Sequence, residues 1–81
     1  MKFAGICCAR QPKVFYHTGD AGDPIRKELD GVSTTMPLPC ERFEFDGEVS
    51  VDVYIPVAGT FISFSDREFE EQFLLVNGWE R

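Results

Sequence analysis

The sequence predicts a small α+β fold, a single domain spanning residues 1–81, and three observations lead to this prediction. An 81-residue chain with 43% hydrophobic residues supplies one apolar core but is too short for two independent domains. Apolar and polar residues alternate in the C-terminal half, and a helix-capping sequence follows. The predicted architecture is an antiparallel β-meander with strands near 41–45, 49–55 and 60–64, a C-terminal α-helix at about 66–76 packed on one face, and one or two short N-terminal strands.

The first two strands of the meander form a predicted hairpin around the turn residues Asp46 and Gly47. A two-residue loop would place Phe43 opposite Ser50 and mix apolar with polar residues on one face. A three-residue loop instead places Phe43 opposite Val51, so that the apolar residues share a face. The sequence therefore predicts the three-residue loop.

A third strand follows the predicted turn at 56–59. With a four-residue loop, Val53 faces Ile62 on the inner side of the sheet, and Tyr54 faces Phe61 on the outer side. The inner side is apolar, whereas the outer side is mixed. The outer aromatic pair is either exposed to solvent or covered by the N-terminal strands, and the sequence leaves both possibilities open.

A helix is predicted to begin after Ser65, because Ser65 and Glu68 have the spacing of a capping box. Apolar residues then recur four and seven positions after Phe69, which is the spacing of one helix face. Gly78 can adopt the left-handed conformation that ends a helix. Trp79, just beyond this point, is expected to fold back onto the core.

The N-terminal half is predicted to hold short elements, whose pairing does not follow from the sequence. Two short apolar runs are bounded by turn residues, as strands are. A proline after Asp23 suits the first turn of a helix, and two further prolines favour an extended connector. The predicted elements are strands at 3–8 and 14–17, a short helix over 24–29, and a connector at 33–39.

Acidic residues are concentrated in the C-terminal half of the chain. Residues 1–40 hold five Lys or Arg against four Asp or Glu, a net charge of +1, whereas residues 41–81 hold three against ten, a net charge of −7. Direct binding to nucleic-acid phosphates needs clustered Lys and Arg. The asymmetry therefore argues against direct nucleic-acid binding and favours a basic protein, or a nucleoprotein complex, as the partner.

The cysteines and the hydropathy pattern predict a cytoplasmic location. Cys7, Cys8 and Cys40 are odd in number and two are adjacent, so they do not form the disulfide framework of a small secreted domain. No apolar run approaches the roughly 18 to 20 residues needed to cross a bilayer. The sequence therefore predicts a soluble cytoplasmic protein with free thiols and no membrane partner.

No motif assigns catalysis, a cofactor or a metal to this chain. A cysteine beside His17 and an acid such as Asp20 or Asp23 could act as an activated nucleophile, but the spacing does not identify such a site. The Cys-x-x-Cys spacing of zinc ligands is absent. We therefore expect no enzyme activity, no catalytic residues, no cofactor and no bound metal.

The candidate binding residues are carboxylates of the hairpin and the helix, joined by two aromatics of the outer face. Carboxylates on a rigid frame can imitate a row of phosphates and occupy a basic groove on a partner. Exposed aromatics with a polar rim are typical of interface centres. The alternative is that the acids only solvate the domain. The predicted partner-binding residues are Glu44, Asp46, Glu48, Asp52, Tyr54, Phe61, Glu68 and Glu71, of which Glu44, Asp52, Tyr54 and Phe61 are expected to form one contiguous patch.

These observations favour a small acidic protein-binding module, a stoichiometric inhibitor or adaptor that acts on a basic protein. In size, charge and lack of catalytic motifs, the chain resembles the compact acidic inhibitors that phages use against host defence complexes, including anti-CRISPR proteins; no family motif supports a closer assignment. Two alternatives stay open. One is a small thiol-dependent enzyme that uses a cysteine and His17. The other is a homo-oligomer formed through a free edge of the meander or the Leu74-Leu75 flank.

Overall fold

Seven β-strands and one α-helix form the part of the chain that the structure, a computed structural model, describes, which is residues 1–19 and 22–79. In chain order they are β1 (Lys2–Ala9), β2 (Val14–Thr18), β3 (Ile25–Leu29), β4 (Leu38–Phe45), β5 (Glu48–Ile55), β6 (Thr60–Ser65), α1 (Asp66–Gln72) and β7 (Phe73–Asn77). The protein is a small compact α+β domain built mostly from antiparallel strands. The predicted meander and both predicted N-terminal strands are present.

Five of the strands form one antiparallel sheet in the order β6-β5-β4-β1-β7, and β2 and β3 form a separate two-stranded sheet. β1 pairs with β4 on one side and with β7 on the other. β1 therefore extends the sheet of the meander, whereas β2 and β3 are not part of that sheet. The sequence does not predict this division of the N-terminal half.

The β5–β6 pair has the register that the sequence predicts. Val53 lies opposite Ile62, and Tyr54 lies opposite Phe61. The connection is the predicted four-residue turn at 56–59, in which two backbone N–H groups donate to one carbonyl at the end of β5. The alternation of apolar and polar residues and the length of the turn are both local signals, and for this pair of strands both indicate the same register.

The β4–β5 hairpin has a two-residue turn, so the predicted three-residue loop is wrong. Asp46 and Gly47 have φ angles of 51° and 78°, both positive, as a type I′ turn requires. Phe43 consequently lies opposite Ser50 and outside the core. The turn sets the register because a type I′ turn matches the twist of the two flanking strands.

Two segments predicted as helical are strands. The helix α1 ends at Gln72, and the residues predicted to form its last turns, including Phe73 and Val76, belong to β7. Phe73 is extended, with φ −130° and ψ 157°. β7 pairs with β1, and β3 pairs with β2 in place of the predicted helix over 24–29. Both predictions are wrong because pairing with another strand overrides local helical preference.

The core lies on one face of the five-stranded sheet, which we call the inner face. The helix adds Phe69 to this core, and the segments around the second sheet add Val14 and Val32. The ring of Trp79 lies 5.8 Å from that of Phe69, which confirms that Trp79 folds back onto the core. The buried residues of the inner face are Cys7, Ala9, Leu38, Cys40, Val51, Val53, Ile55, Ile62, Phe64 and Phe73.

Side-chain hydrogen bonds connect the end of α1 to the N-terminal half. The side-chain amide of Gln72 accepts a hydrogen bond from the Phe15 N–H and donates one to the Phe15 carbonyl at 2.7 Å. Arg10 Nε donates to the carbonyls of Glu70 and Phe73, at 3.3 and 3.1 Å. The last turn of α1 contains no basic residue of its own, so Arg10 supplies the cation that a helix C-terminus favours.

The predicted capping box at Ser65 is confirmed. The Glu68 N–H donates to Ser65 Oγ at 3.1 Å, and the Ser65 N–H donates to Glu68 Oε1 at 2.9 Å. The other carboxylate oxygen of Glu68 lies 2.8 Å from Nδ1 of His17 on β2. Burial acts to raise the pKa of Glu68, but the hydrogen bonds from Ser65 and His17 outweigh it and hold the pKa below its usual value.

Replacing Glu68 by glutamine is expected to remove part of the pH dependence of stability. A carboxylate with a lowered folded-state pKa stabilises the fold above its unfolded-state pKa of about 4.3, and this contribution is lost as the pH falls through the folded-state value. Glutamine can keep the cap but carries no charge. The wild type is therefore expected to exceed the variant by ~0.5–1 kcal/mol near neutral pH, and the difference is expected to shrink as the pH falls below the unfolded-state pKa.

Urea unfolding of the two proteins across this pH range measures the difference. Glu71→Gln is the control, because Glu71 pairs with Arg67 at 3.1 Å on an exposed helix surface, where ion pairs contribute little. A stability difference between the wild type and Glu68→Gln that does not change with pH would contradict a role for the charge.

Candidate partner-binding site

The face of the five-stranded sheet opposite the core carries no buried side chain, and we call it the outer face. It consists of the even-numbered residues of β1 and β5 and the odd-numbered residues of β4 and β6, since successive side chains of a strand point to opposite sides. Phe69, Val14 and Val32 cover the inner face. Antiparallel sheets are commonly solvated on one face, and here that face is a broad surface on which a partner could dock.

Tyr54 and Phe61 form the aromatic centre of the outer face. Their rings meet edge to face, with centroids 5.4 Å apart and an interplanar angle of 72°. Phe61 is 44% exposed, and Tyr54 is half-buried. β1 lies within the sheet rather than over this pair, so the pair is not buried beneath it. An open cleft of ≈ 430 Å³ between β6 and the end of β2 adjoins Phe61.

Glu41 and Asp52 lie directly opposite each other in the register of β4 and β5, and Asp52 is two residues before Tyr54 on the same face of β5. Lys2 Nζ lies 3.0 Å from Glu41 Oε2 and offsets one of the two charges. Asp52 forms no ion pair with any residue that the structure describes, and its neighbour on β6 is the uncharged Ser63. Directly opposed like charges destabilise a sheet. A cation brought by a partner would relieve this repulsion.

The tip of the β4–β5 hairpin extends the outer face with an apolar side chain among acids. Phe45 is 77% exposed and lies opposite Glu48. Asp46 occupies the turn beside it, and within residues 1–19 and 22–79 neither acid takes part in an ion pair. The tip is therefore a second point at which an exposed aromatic is flanked by carboxylates.

Glu44 does not lie on the outer face, so the predicted patch that unites Glu44 with Asp52 is wrong. Glu44 lies opposite Val49, on the inner side of the sheet, and forms an ion pair with Arg42. The cause is the two-residue turn. A change of register by one residue moves every side chain of a strand to the opposite face relative to its partner.

The two helix carboxylates of the predicted site lie apart from the outer face. Glu68 caps α1 and contacts His17. Glu71 is exposed on the helix surface and pairs with Arg67. The other five predicted residues lie on the outer face or at the hairpin tip, and they are Asp46, Glu48, Asp52, Tyr54 and Phe61.

Glu41 is the outer-face acid that the sequence prediction misses. The predicted three-residue loop pairs Arg42 with Asp52, which conceals the like-charge pair. Asp-Gly between alternating apolar runs favours a two-residue type I′ turn, and giving this signal more weight than the apolar-face argument would have favoured Glu41 opposite Asp52. The apolar-face argument fails because Leu38 and Cys40, which precede the predicted strand, are the buried residues of β4.

Among the described residues, Cys7 and Cys40 are buried in the core, whereas the side chain of His17 lies at the surface. Cys7 and Cys40 are buried, and a hydrogen bond between their thiols, together with burial, raises the pKa of Cys7. His17 contacts Glu68. Asp20 lies outside the described residues. Among those that are described, no three His, Cys, Asp or Glu side chains are grouped so that they could hold a metal ion.

Comparisons with known proteins add no assignment. No family model, no curated protein and no solved structure matches the chain. Over residues 1–19 and 22–79, no helix has the length and hydropathy needed to span a membrane. The chemistry of the outer face is therefore the basis on which a function can be argued.

Proposed function

We propose that the protein is a small acidic binding module that docks its outer face on a basic surface of another protein. The observation that supports this most directly is the opposed pair of Glu41 and Asp52 beside the aromatic pair of Tyr54 and Phe61. Repelling carboxylates are stabilised by a cation, and exposed aromatic surface is stabilised by an apolar contact. One partner surface with Lys or Arg around an apolar centre supplies both.

The charge distribution supports a basic partner. Ten of the 14 acidic residues lie in residues 41–81, whose net charge is −7. Lys2 is the single basic residue among the side chains of the outer face, and it is already paired with Glu41. A surface of one sign attracts the opposite sign over distance and raises the rate of association.

Burial of the exposed aromatic side chains by a partner would contribute to affinity. Charge alone contributes little at physiological salt, because salt screens exposed charges. Phe45 and Phe61 are the exposed phenylalanines of the outer face. Complete burial of such a side chain stabilises by about 1.5–3 kcal/mol. Both residues lie on paired strands, so little backbone entropy is lost when the partner binds.

A stoichiometric inhibitor or adaptor is the class that suits this surface. Apart from Lys2, which is paired with Glu41, its charged and hydroxyl groups are carboxylates and hydroxyls held on a rigid sheet, an arrangement suited to recognition. We therefore propose binding without catalysis, in the cytoplasm. Nucleic-acid-binding proteins are included among the basic partners, because a groove that accepts phosphates also accepts a row of carboxylates. The likeness to anti-CRISPR and other phage inhibitors is one of size and charge.

Affinity capture from a lysate of the source cells tests the proposal with two variants. Asp52→Lys reverses the charge at the centre of the outer face. Glu71→Lys makes the same change in net charge at an exposed helix position away from that face. We expect a basic protein to be retained by the native protein and by Glu71→Lys, with or without nuclease, and to be lost from Asp52→Lys.

Kinetics with the purified partner separate the two parts of the site. The association rate of Asp52→Lys is expected to fall on the order of tenfold at low salt, with a smaller difference at high salt. Phe61→Ala is expected to raise the dissociation rate instead. Equal losses from Asp52→Lys and Glu71→Lys would mean that net charge alone acts. Full retention by Asp52→Lys would remove the outer face from the proposal.

A further inference from the structure

We infer that the open edge of β6 is a strand-addition site, which receives an extended segment of the partner protein that carries a lysine or an arginine. β6 is the last strand at one end of the five-stranded sheet, and among the described strands it pairs with β5 only. The inference rests on the proposed function, because the added segment would continue the outer face and supply the cation that this face attracts.

The backbone groups of Phe61 and Ser63 point towards the open side of β6. The two residues that flank a type I′ turn form a hydrogen-bonded pair, so alternation directs the odd-numbered residues of β5 towards β6. The odd-numbered residues of β6 then direct their N–H and C=O groups away from β5. One bond agrees with this assignment, since the Ser65 N–H donates to Glu68 Oε1 at 2.9 Å. Phe61 and Ser63 therefore offer backbone groups to another strand.

A cleft beside β6 leaves room for such a strand. Residues 60–63 of β6 and residues 16–18 of β2 line this cleft, whose volume is ≈ 430 Å³. Sites that bind ligands usually measure about 300–1,000 Å³. Pairing beyond Ser63 is blocked, because the Glu68 carboxylate already accepts the Ser65 N–H and also contacts His17. The added strand therefore pairs with Phe61 and Ser63 alone.

β6 lacks the features that protect exposed sheet edges. Its sequence, Thr-Phe-Ile-Ser-Phe-Ser, contains no charge and no proline, and its register with β5 is regular throughout. β3, an edge of the two-stranded sheet, instead carries three consecutive charged residues. A regular, uncharged edge that borders a cleft suits the addition of an extended peptide segment.

The outer face determines which side chains the added segment needs. Ser63 lies opposite Asp52, which lies opposite Glu41, so a residue added opposite Ser63 continues the row of carboxylates. Neighbouring strands are about 4.8 Å apart, so this residue lies about 10 Å from Asp52, a span that suits the long side chains of lysine and arginine. A residue opposite Phe61 continues the row of the aromatic pair, where an apolar side chain fits. In an antiparallel pairing, the segment therefore has a basic residue followed two positions later by an apolar one.

The other edge strands of this chain do not supply such a segment. β7 contains no basic residue. Both backbone groups of Phe15 bond to the side chain of the last residue of α1, so Arg26 and Glu28 are the residues of β3 with outward backbone groups. An antiparallel pairing that brings Arg26 towards Asp52 would place Glu28 opposite Phe61, where an apolar residue is needed. A segment of a different, basic protein is therefore the occupant that fits.

Titration with a synthetic peptide, Thr-Thr-Lys-Thr-Val-Thr-Thr with blocked termini, tests the inference. We expect saturable changes in NMR spectra, concentrated at the amides of Phe61 and Ser63, and slower hydrogen exchange of both amides. Replacing the peptide lysine by glutamate is expected to weaken binding on the order of tenfold. N-methylation of the peptide valine, which pairs with Phe61, is expected to abolish binding. N-methylation of the threonine between lysine and valine is the matched control, because its N–H points away from β6.

Variants of the protein test the same contacts from the other side. Ser63→Pro removes the outward N–H at a position where an edge strand tolerates proline, so it is expected to lose the lysine peptide, whereas Ser63→Ala is expected to bind it like the native protein. Asp52→Asn is expected to reduce the preference for the lysine peptide over the glutamate peptide. Near-ultraviolet circular dichroism of Trp79 verifies that each variant is folded. Absence of saturable binding, equal binding of the two methylated peptides, or an unchanged preference in Asp52→Asn would each overturn the inference.

Capture of the natural partner separates this inference from the proposed function. We expect the partner to be lost from Ser63→Pro and retained by Ser63→Ala. A partner that is lost from Asp52→Lys but retained by folded Ser63→Pro would overturn strand addition and leave docking on the outer face intact. A partner retained by Asp52→Lys would instead count against the proposed function.

Discussion

Replacing Phe73 by alanine is expected to lower the free energy of unfolding by about 3–5 kcal/mol, the usual cost of removing a buried phenylalanine side chain. Phe73 is fully buried, and its ring stacks on that of Phe69 at 5.5 Å and meets that of Phe64 edge to face at 5.0 Å. It also lies where α1 ends and β7 begins. The variant would therefore lose a large part of the roughly 5–15 kcal/mol that stabilises a typical domain.

Phe45→Ala is the matched control for this experiment. It removes the same atoms from a side chain at the exposed hairpin tip, so its effect on stability is expected to stay within about 0.5 kcal/mol. Urea unfolding followed by the fluorescence of Trp79 measures both variants. Similar losses from the two substitutions would show that Phe73 does not hold the core together.

The second large effect is expected at Gly78, where the chain after β7 approaches β1 closely. Gly78 has φ +147°, and a Cβ atom added there would lie 2.8 Å from the Gly5 Cα and 3.1 Å from the Ala4 carbonyl oxygen. Both neighbours are backbone atoms, which cannot move aside by a change of rotamer. Gly78→Ala is therefore expected to cost about 2–4 kcal/mol, through backbone strain and displacement of the two segments.

Gly78→Ala should also have a local optical signature. Trp79 follows directly and packs against Phe69, so displacement is expected to expose the indole and shift its emission to longer wavelength. Gly22→Ala is the control, because among the described residues no atom beyond its chain neighbours lies within 4 Å of its added Cβ atom. Its effect on stability is expected to stay within about 0.5 kcal/mol. Matching unfolding curves and emission spectra for the two variants would contradict the close approach at Gly78.

Local signals suffice to predict the β5–β6 pair and the start of α1. The four-residue turn and the alternation of the strands place Tyr54 opposite Phe61, as observed. Ser65 and Glu68 are three residues apart, and their capping bonds form as predicted. In both cases the groups that interact are close in the chain, so a short stretch of sequence contains all that decides the outcome.

Pairing with distant strands decides the segments that the sequence predicts wrongly. Phe73 and Val76 have the spacing of a helix face, yet they lie in β7 because β1 offers backbone partners along its edge. The segment from Ile25 to Leu29 is likewise drawn into a strand by β2. Hydrogen bonds to a partner strand and burial of Phe73 together outweigh a local preference that amounts to less than about 1 kcal/mol per residue.

The sequence by itself determined the α+β class, the acidic C-terminal half and the shared face of Asp52, Tyr54 and Phe61, because charge, alternation and turn chemistry are properties of neighbouring residues. Only the tertiary structure decided that Glu41 lies opposite Asp52 and that Glu44 lies on the other side of the sheet. The physical reason is that a shift of one residue in strand register exchanges the two faces. On β4, the buried residues are Leu38 and Cys40, which precede the segment in which the hairpin was predicted.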